Sequence, residues 1–290
     1  MPRRYGGRHG GGSDAKLASN PTLDECLARW SLSPDGTPLT THTSILLPVR
    51  QAGMPVMLKL ATEAEERRGG ESMIWWGGDG AARVLAHAGD ALLMERAMGE
   101  RSLVEMAQND RDDEASRIIC AVASRLHAPR DRRPPPSLVP LTQWFAELEP
   151  AATRHGGLLS LAAVTARELL DQPQDVVVLH GDLHHGNVLD FGPRGWLAID
   201  PKHLVGERTF DFVNVLRNPD AGIALRPGRF ARQVTVVADA AGLDRTRLLR
   251  WILAFTGLSA AWILGDGDQP ELDLAVAELA AAELAGVSGC

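Results

Sequence analysis

The strongest indication of the fold is the stretch Val178-Leu-His-Gly-Asp-Leu-His-His-Gly-Asn-Val-Leu189, followed closely by Trp196-Leu-Ala-Ile-Asp-Pro201. Asp182 and Asn187 stand in the first stretch, and Asp200 stands near the end of the second. A carboxylate that can accept a hydroxyl proton, followed by an amide and a second carboxylate that can hold Mg²⁺, is the arrangement that kinases use for phosphoryl transfer. The two stretches therefore predict a phosphoryl-transfer site.

Each of these polar residues comes after an apolar run that would fix its position. Residues 176–179 lead into the loop that holds Asp182, and residues 197–199 lead directly into Asp200. A buried strand that ends in a polar loop is a common way to hold a reactive group. We predict Asp182 to be the catalytic base in contact with the substrate, a role worth about 10²–10⁴ in rate. Asn187 and Asp200 are the predicted Mg²⁺ ligands, because both offer hard oxygen atoms.

The adjacent His184 and His185 raise an alternative, a metal-dependent hydrolase built on histidines. Adjacent side chains on extended backbone point to opposite sides, so they rarely share one ion. No Glu-x-x-His or cysteine partner stands near them in the sequence. We therefore expect no transition metal here, and we expect His180 to brace the loop through hydrogen bonds.

A kinase-like site also needs a cation for the phosphates, and Lys59 lies in an apolar, strand-like run. Burying an ammonium group without a partner is costly, so Lys59 should pair with an acid on the following helix. Four glutamates are candidates: Glu63, Glu65, Glu66 and Glu71. Glu71 leads into the apolar 73–75 face and should point inward. We predict a catalytic Lys59–Glu71 pair, with Lys59 also binding the nucleotide.

The loop that would cover the phosphates carries the weakest signal. The sequence has neither a Gly-x-x-x-x-Gly-Lys-Ser/Thr motif nor a usable Gly-x-Gly-x-x-Gly motif. Thr43 and Ser44 belong to a hydroxyl-rich run where such a loop would fall, so they are predicted cofactor contacts. Glu95 and Ala97 lie where two parts of the chain would join, and their backbone groups are predicted to read an adenine edge.

The secondary-structure pattern predicts two lobes and a tail. Residues 1–15 are rich in Gly and Arg and are predicted to be a disordered tail. Residues 16–96 should form a small N-terminal nucleotide-binding lobe of four or five strands and one helix, with hairpins at 39–60 and 83–94. Residues 97–290 should form a large helical C-terminal lobe with the catalytic loop and the substrate pocket. The predicted helices are 62–76, which starts with a Thr62 capping box, 102–108, 113–127, 141–148, 158–170, 225–241, 245–264 and 270–285.

Strands do not alternate regularly with helices along this chain, which argues against a doubly wound nucleotide fold. We predict an α+β class with a bilobal protein-kinase-like fold, a small β-rich N-lobe and a large helical C-lobe.

Composition restricts the partners and the location. The formal charge of −7 argues against nucleic-acid binding and suits a cationic small molecule. Cys26, Cys120 and Cys290 are widely separated and predict neither a zinc cluster nor a disulfide framework. We expect no membrane association and a cytoplasmic location, because no apolar run reaches about 18 residues and no signal peptide opens the chain. Nothing in the sequence implies an oligomer.

Together these motifs resemble the aminoglycoside phosphotransferase family of the protein-kinase-like superfamily, and most closely its streptomycin 6-phosphotransferase and hydroxyurea phosphotransferase branch. The matching patches are 56–59, Glu71, 75–85, 92–96, 179–187, 194–201, 204–207 and 258–262. The His-Gly-Asp block is specific for the superfamily. The Arg-Gly-Trp-Leu-x-Ile-Asp-Pro and Ser-Ala-Ala-Trp blocks indicate the branch.

The resemblance implies ATP- and Mg²⁺-dependent O-phosphorylation of an aminoglycoside hydroxyl, which confers antibiotic resistance. It also implies that acids of the helical lobe receive the cationic drug. The candidates are Asp266, Asp268, Glu271 and Asp273. Asp211 is expected to support the catalytic loop by hydrogen bonding. Lys202 departs from the pattern and would add positive charge near the acceptor.

Two alternatives share the fold. One is a kinase for another small molecule, such as hydroxyurea, a sugar or an amino alcohol. The other is a pseudokinase that binds nucleotide without turnover, against which the complete set of Lys59, Asp182, Asn187 and Asp200 argues.

Overall fold

Strands are concentrated in the first third of the chain and helices in the remainder of the computed structural model, which describes residues 21–41 and 43–288. The predicted tail, residues 1–15, lies outside the described residues. The first part comprises α1 (Leu23–Arg29), β1 (Leu32–Pro34), β2 (Leu39–Thr40), β3 (Ser44–Gln51), β4 (Met54–Ala61), α2 (Ala64–Trp76), β5 (Val84–Ala88) and β6 (Ala91–Glu95).

These strands form an antiparallel sheet in the order β1-β3-β4-β6-β5, with β2 paired to β3. Strand β4 is central, and Lys59 lies in it opposite Leu46 of β3 and Leu92 of β6. A residue in a central strand is held by ladders on both sides. Lys59 is therefore fixed by the most regular part of the sheet.

Both predicted hairpins are present. The turn between β3 and β4 contains Ala52 and Gly53, both with positive φ, and Gly89 has positive φ between β5 and β6. The stretch predicted as one strand from residue 39 is divided into β2 and β3. Thr41 causes this division, because its hydroxyl accepts a hydrogen bond from the Ser44 backbone N–H at 3.0 Å and closes a turn.

Two helix predictions in this part need correction. Helix α2 begins at Ala64, and its N-cap residue Glu63 makes no side-chain capping bond, so the predicted Thr62 capping box is wrong. The helix ends at Trp76, as predicted, and is capped by Gly77, whose φ of 63° lies in the left-handed region. Helix α1 was not predicted, although Thr22 and Glu25 form a capping box at its start.

The second part is mainly helical. It contains α3 (Leu103–Gln108), α4 (Asp112–His127), β7 (Val139–Pro140), α5 (Leu141–Trp144), α6 (Leu148–His155), α7 (Gly157–Asp171), β8 (Val176–Leu179), β9 (Val188–Asp190), β10 (Trp196–Ala198), β11 (Leu204–Glu207), α8 (Ala221–Ala224), α9 (Arg229–Ala241), α10 (Arg245–Gly265) and α11 (Glu271–Ser288). A 3₁₀ helix covers Arg208–Arg217. Strands β9 and β10 pair, and β8 pairs with β11, so two small sheets support the loop between β8 and β9.

Helix α10 forms the centre of the C-terminal core. Trp251 and Phe255 on this helix contact Phe210 edge to face, with ring centroids 5.6 and 5.4 Å apart. Such contacts add to the burial of large apolar surfaces. Among the described residues α10 is the helix long and apolar enough to span a membrane, but 72% of its apolar window is buried inside the protein. Its apolar character is thus explained by its central position.

A separate apolar cluster joins the two parts of the chain. Met73, Leu92 and Met94 of the first part pack with Phe191 and Leu197 of the second. This cluster lies between the sheet and the helical part. The arrangement is the one expected for an α+β fold with a cleft between two lobes, while the lobe boundary at residues 96 and 97 stays a prediction.

Candidate active site

One buried acid, Asp211, holds the loop between β8 and β9 in place. The carboxylate of Asp211 accepts hydrogen bonds from the backbone N–H groups of His180 and Gly181, at 2.9 and 2.7 Å. Its Oδ2 also lies 2.7 Å from Nε2 of His127, and its side chain is fully buried. Charge-assisted bonds of this kind are stronger than bonds between neutral groups. The prediction that Asp211 supports the catalytic loop is confirmed.

His180 braces the same loop from its centre, as predicted. Its Nδ1 accepts a hydrogen bond from the Asp182 N–H at 3.3 Å, so Nε2 carries the proton that is donated to the Ile199 carbonyl oxygen at 2.8 Å. Burial lowers the pKa of His180 and keeps the ring neutral. The backbone N–H of Lys202 donates to the His180 carbonyl at 2.7 Å. His180 therefore connects the loop to the segment after β10 that contains Asp200.

Asp182 and Asn187 contact each other within the loop between β8 and β9. Nδ2 of Asn187 donates to the Asp182 carbonyl oxygen at 2.9 Å and lies 3.4 Å from Asp182 Oδ2. The other carboxylate oxygen, Oδ1, accepts a bond from Nδ2 of Asn214 at 3.0 Å. The amide nitrogen of Asn187 is thus used within the loop, which leaves its oxygen as the atom suited to a metal ion.

Asn214 is a site residue that the sequence interpretation missed. It stands three residues after Asp211, and both lie on the 3₁₀ helix 208–217. Residues i and i+3 of a 3₁₀ helix lie on the same side, so the two side chains reach the same loop. This spacing was the available signal.

Lys59 and Asp200 meet across the cleft, where the Lys59 ammonium forms a hydrogen-bonded ion pair with Oδ1 of Asp200. The Lys59 side chain is almost buried, whereas 39% of the Asp200 side chain is exposed. Asp200 has a φ of +65°, an uncommon conformation for a residue other than glycine that often marks functional sites. A small cavity lies beside the pair and is lined also by Gly69, Met73 and Leu92.

The predicted Lys59–Glu71 pair is wrong. Glu71 accepts a hydrogen bond from the Ser137 hydroxyl and lies 3.6 Å from Nε2 of His203. Gly69 and Met73 of α2 line the cavity beside Lys59. Residues of an α-helix are separated by about 100° per position, so Glu71 points to a different side from Gly69. Two other candidate partners, Glu65 and Glu66, have side chains outside the described part.

The orientation of α2 follows from a close contact at Gly69. A Cβ atom at this position would lie 2.3 Å from the backbone oxygen of Pro201, a separation that real structures do not tolerate. Glycine therefore lets the helix approach the loop after Asp200. This contact fixes which face of α2 meets the cleft.

His203, which the sequence interpretation did not single out, links α2 to this loop. The Ser137 hydroxyl proton is donated to Glu71, so Ser137 Oγ accepts from His203 Nε2 at 3.0 Å. Nδ1 of His203 then accepts from the Ser72 hydroxyl at 2.8 Å. Burial lowers the pKa of His203, which favours the neutral ring.

The hydroxyl-rich turn is held together by its own side chains. Ser44 is buried, and its Oγ lies 2.9 Å from Thr41 Oγ1, so its hydroxyl is used within the turn, and its predicted contact with the nucleotide stays a prediction. Ser and Thr side chains commonly close local turns in this way. Thr43 accepts a hydrogen bond on its carbonyl oxygen from Thr62 N–H at 2.8 Å, and its predicted contact with the nucleotide stays a prediction.

The junction of the two parts places Glu95 and Ala97 at the edge of the cleft. The Glu95 N–H donates to the Arg83 carbonyl at 3.0 Å, so this donor is already used within the protein, and the predicted contact of Glu95 with an adenine stays a prediction. The Glu95 carboxylate accepts a bond from Arg194 at 2.6 Å, which ties this edge to the second part. Ala97 packs against the apolar cluster between the parts, and its predicted contact with an adenine stays a prediction.

His184 and His185 point to different partners, as the alternation of side chains predicted. His184 Nδ1 accepts a bond from the Gly186 N–H at 3.0 Å, and its Nε2 lies 3.8 Å from Asp182 Oδ1. His185 is buried, with Nε2 3.6 Å from Asp112 Oδ1. In the described part of the chain, no group of three or more His, Cys, Asp or Glu residues could hold a metal ion. The histidine-based hydrolase alternative therefore has no structural support.

The acids proposed to receive a cationic drug are divided by the structure. Asp266, Asp268 and Glu271 are exposed at the connection between α10 and α11. Asp273 is buried and forms an ion pair with Arg217 at 3.0 Å, while burial raises its pKa. Asp273 thus has a structural partner, and the three exposed acids stay candidates.

Comparison with known sequences gives one family. The sequence model described as aminoglycoside/hydroxyurea antibiotic resistance kinase matches residues 29–267. A streptomycin 3''-kinase from Klebsiella pneumoniae is 52% identical, over 88% of this chain and 98% of its own length. A streptomycin 6-kinase from Streptomyces griseus is 34% identical, over 91% of this chain and 88% of its own length. The predicted resemblance is confirmed.

A solved structure confirms the predicted fold class. An aminoglycoside phosphotransferase in a ternary complex with ADP and hygromycin B aligns with a TM-score of 0.59 and 14% identity. The alignment covers 91% of this chain and 96% of that one. At this identity the likeness concerns the fold alone, and it extends over both the sheet and the helical part.

Proposed function

Since the chain belongs to the aminoglycoside/hydroxyurea antibiotic resistance kinase family, we propose that it confers resistance by transferring the γ-phosphate of ATP to the 3''-hydroxyl of streptomycin. Two contacts support the proposed reaction, that of Asp182 with Asn187 and that of Lys59 with Asp200. The N–H of Ile199, next to Asp200, donates to the Asn187 carbonyl at 2.9 Å and so brings the two pairs together. The choice of hydroxyl is supported by the relative with 52% identity, a 3''-kinase, against 34% for a 6-kinase.

Asp182 is the proposed base. As the acceptor oxygen attacks the γ-phosphorus, its proton passes to the Asp182 carboxylate, the bond from phosphorus to the bridging oxygen breaks, and ADP leaves with that electron pair. Two amides hold the carboxylate, which reduces the reorganisation needed when the acceptor arrives. The proton is therefore received by a group whose position is already set.

Asn187 and Asp200 would hold the Mg²⁺ that accompanies the nucleotide. The donor set fits this ion, because the Asn187 amide nitrogen is bonded to Asp182 and the Asp200 carboxylate is partly exposed in the cleft. Bound Mg²⁺ would neutralise charge on the phosphates. Lys59, fixed in the central strand, supplies a further positive charge at the same point.

A cationic acceptor suits the charge of the protein, which is −7 overall. We propose that Asp266, Asp268 and Glu271 attract this acceptor from the exposed connection after α10. A cytoplasmic location is part of the proposal, because ATP is the donor.

A panel of acceptors tests the function. The purified protein, with Mg²⁺-ATP, is assayed for ATP consumption with streptomycin, other aminoglycosides and hydroxyurea, and the product is located by NMR. We expect consumption with streptomycin and a phosphate at the 3'' position. Turnover with hydroxyurea and none with streptomycin would overturn the substrate, and a phosphate at position 6 would overturn the choice of hydroxyl.

A further inference from the structure

We infer that Asn214 is a positioning residue for the catalytic base: it holds Oδ1 of Asp182 so that Oδ2 is the oxygen that accepts the hydroxyl proton. This inference rests on the proposed phosphotransferase function and assigns an atom to its proton-transfer step. Asn214 acts through Asp182 and not on the substrate.

The contacts of the two carboxylate oxygens differ. Oδ1 accepts a hydrogen bond of 3.0 Å from Asn214 Nδ2, and His184 Nε2 lies 3.8 Å away on the same oxygen. Oδ2 has the longer contact of 3.4 Å to Asn187 Nδ2, whose shorter bond goes to the Asp182 carbonyl at 2.9 Å. A hydrogen bond weakens as its length increases. Oδ2 is thus the oxygen whose lone pairs are least committed.

Asn214, which holds Oδ1, is itself held in place by its surroundings. Asn214 is almost buried, with 5% of its surface exposed, and its neighbours Val213 and Val215 are in the core. The 3₁₀ helix that carries Asn214 also carries Asp211, which binds the backbone of His180 and Gly181. One rigid element therefore fixes both the loop backbone and the orientation of the base.

The chemistry explains why an amide suits this position. An amide N–H donates to Oδ1 without bringing a net charge, so it does not compete with Lys59 or a metal ion for the phosphates. Loss of the donor should release the orientation of the Asp182 carboxylate, which would slow the proton-transfer step while leaving nucleotide binding unchanged.

The inference predicts a split between kinetic constants. In Asn214→Leu, which keeps the approximate shape and removes the donor, kcat should fall about 10- to 100-fold, because misplaced reacting groups cost about this much. The KM for Mg²⁺-ATP should stay within about twofold, since no nucleotide contact is removed.

A second variant separates positioning from folding. Asn214→Asp keeps the size, removes the N–H donor and puts a second carboxylate beside Asp182, so kcat should fall at least as far as in Asn214→Leu while the KM for Mg²⁺-ATP stays within about twofold. The matched control is Gln233→Leu, which removes another buried amide that donates to a carboxylate, Asp113, at 2.7 Å on a different helix. This control should lower the Tm and leave kcat within about twofold of the wild type.

The experiment measures Tm, KM for Mg²⁺-ATP and kcat for the wild type and these three variants, with streptomycin as acceptor. A lower kcat with an unchanged KM in both Asn214 variants, and an unchanged kcat in Gln233→Leu, support the positioning role. A kcat within about twofold of the wild type in either folded Asn214 variant overturns it, even if the Tm falls. If the wild type does not turn over streptomycin, the proposed function fails, and the same comparison of kcat and KM is made on basal ATP hydrolysis, where water replaces the hydroxyl.

Discussion

The two sides of the cleft are held in different ways. On the helical side, a fully buried carboxylate, Asp211, accepts two backbone N–H bonds from the loop that carries Asp182. On the sheet side, α2 is tied to the loop after Asp200 by neutral hydroxyls, a neutral histidine and Glu71, which is 45% exposed. Buried charge-assisted bonds contribute more than bonds between neutral or exposed groups. The base side of the site is therefore built as a fixed support, and the α2 side depends on weaker contacts.

The largest effect should come from Asp211→Ala. It leaves the N–H groups of His180 and Gly181 buried without an acceptor, at about 1–3 kcal/mol each. We expect the free energy of unfolding to fall by about 2–6 kcal/mol and turnover to be lost. Urea denaturation and an ATP-consumption assay measure both. The control is Asp175→Ala, which removes an exposed ion pair with Arg208. An equal loss of unfolding free energy in that variant would refute the difference between buried and exposed contacts.

Next in size is the difference between Lys59→Ala and Glu71→Ala. Lys59 contacts Asp200 in the cleft, so its removal should lower kcat/KM for ATP by at least about 100-fold. Glu71 contacts Ser137 and His203, so its removal should cost less than about tenfold. Steady-state kinetics with varied ATP compare the two variants. Equal losses would show that Glu71 serves Lys59 during the reaction and would restore the pair expected from the sequence.

The smallest expected effect is on the pH dependence of stability, and it concerns His203 on the α2 side of the cleft. Burial lowers the pKa of His203 below its ordinary value of about 6.5. As the pH falls, the unfolded chain therefore binds a proton at this residue more readily than the folded protein does. Wild-type stability should therefore fall as pH drops below about 6.5. In His203→Gln the protein should start less stable at pH 7.5, and its Tm should decline less steeply towards pH 5. Thermal melts across this range measure the slope, and an unchanged slope would contradict the account.

The helical side of the cleft could be largely predicted from the sequence because its parts are close in the chain. Asp182 and Asn187 lie in one loop, and the apolar runs before Asp182 and Asp200 indicated the strands that place them. Asp211 was predicted as a support for the same reason. Asn214 was missed, although its spacing from Asp211 on a 3₁₀ helix would have shown that both face the loop.

The sheet side could not be predicted to the same extent, because its contacts depend on how α2 is turned. The contact of Gly69 with Pro201 sets that orientation, and it joins residues far apart in the sequence. Periodicity alone favoured Glu71 as the inward acid. Similarly, the residue type of Ser44 indicated a phosphate contact, but it did not indicate the hydrogen bond that joins its hydroxyl to that of Thr41 within the turn. Competition between local hydrogen bonds and ligand contacts is not visible in residue type.

The most direct test of the central claim compares Asp182→Asn with the wild type by calorimetry with Mg²⁺-ATP and by streptomycin turnover. The substitution keeps the size of the side chain and removes the proton acceptor, while Lys59, Asn187 and Asp200 remain. We predict nucleotide affinity within about twofold of the wild type and turnover reduced by about 10²–10⁴. Turnover close to that of the wild type, with nucleotide still bound, would contradict the assignment of Asp182 as the base.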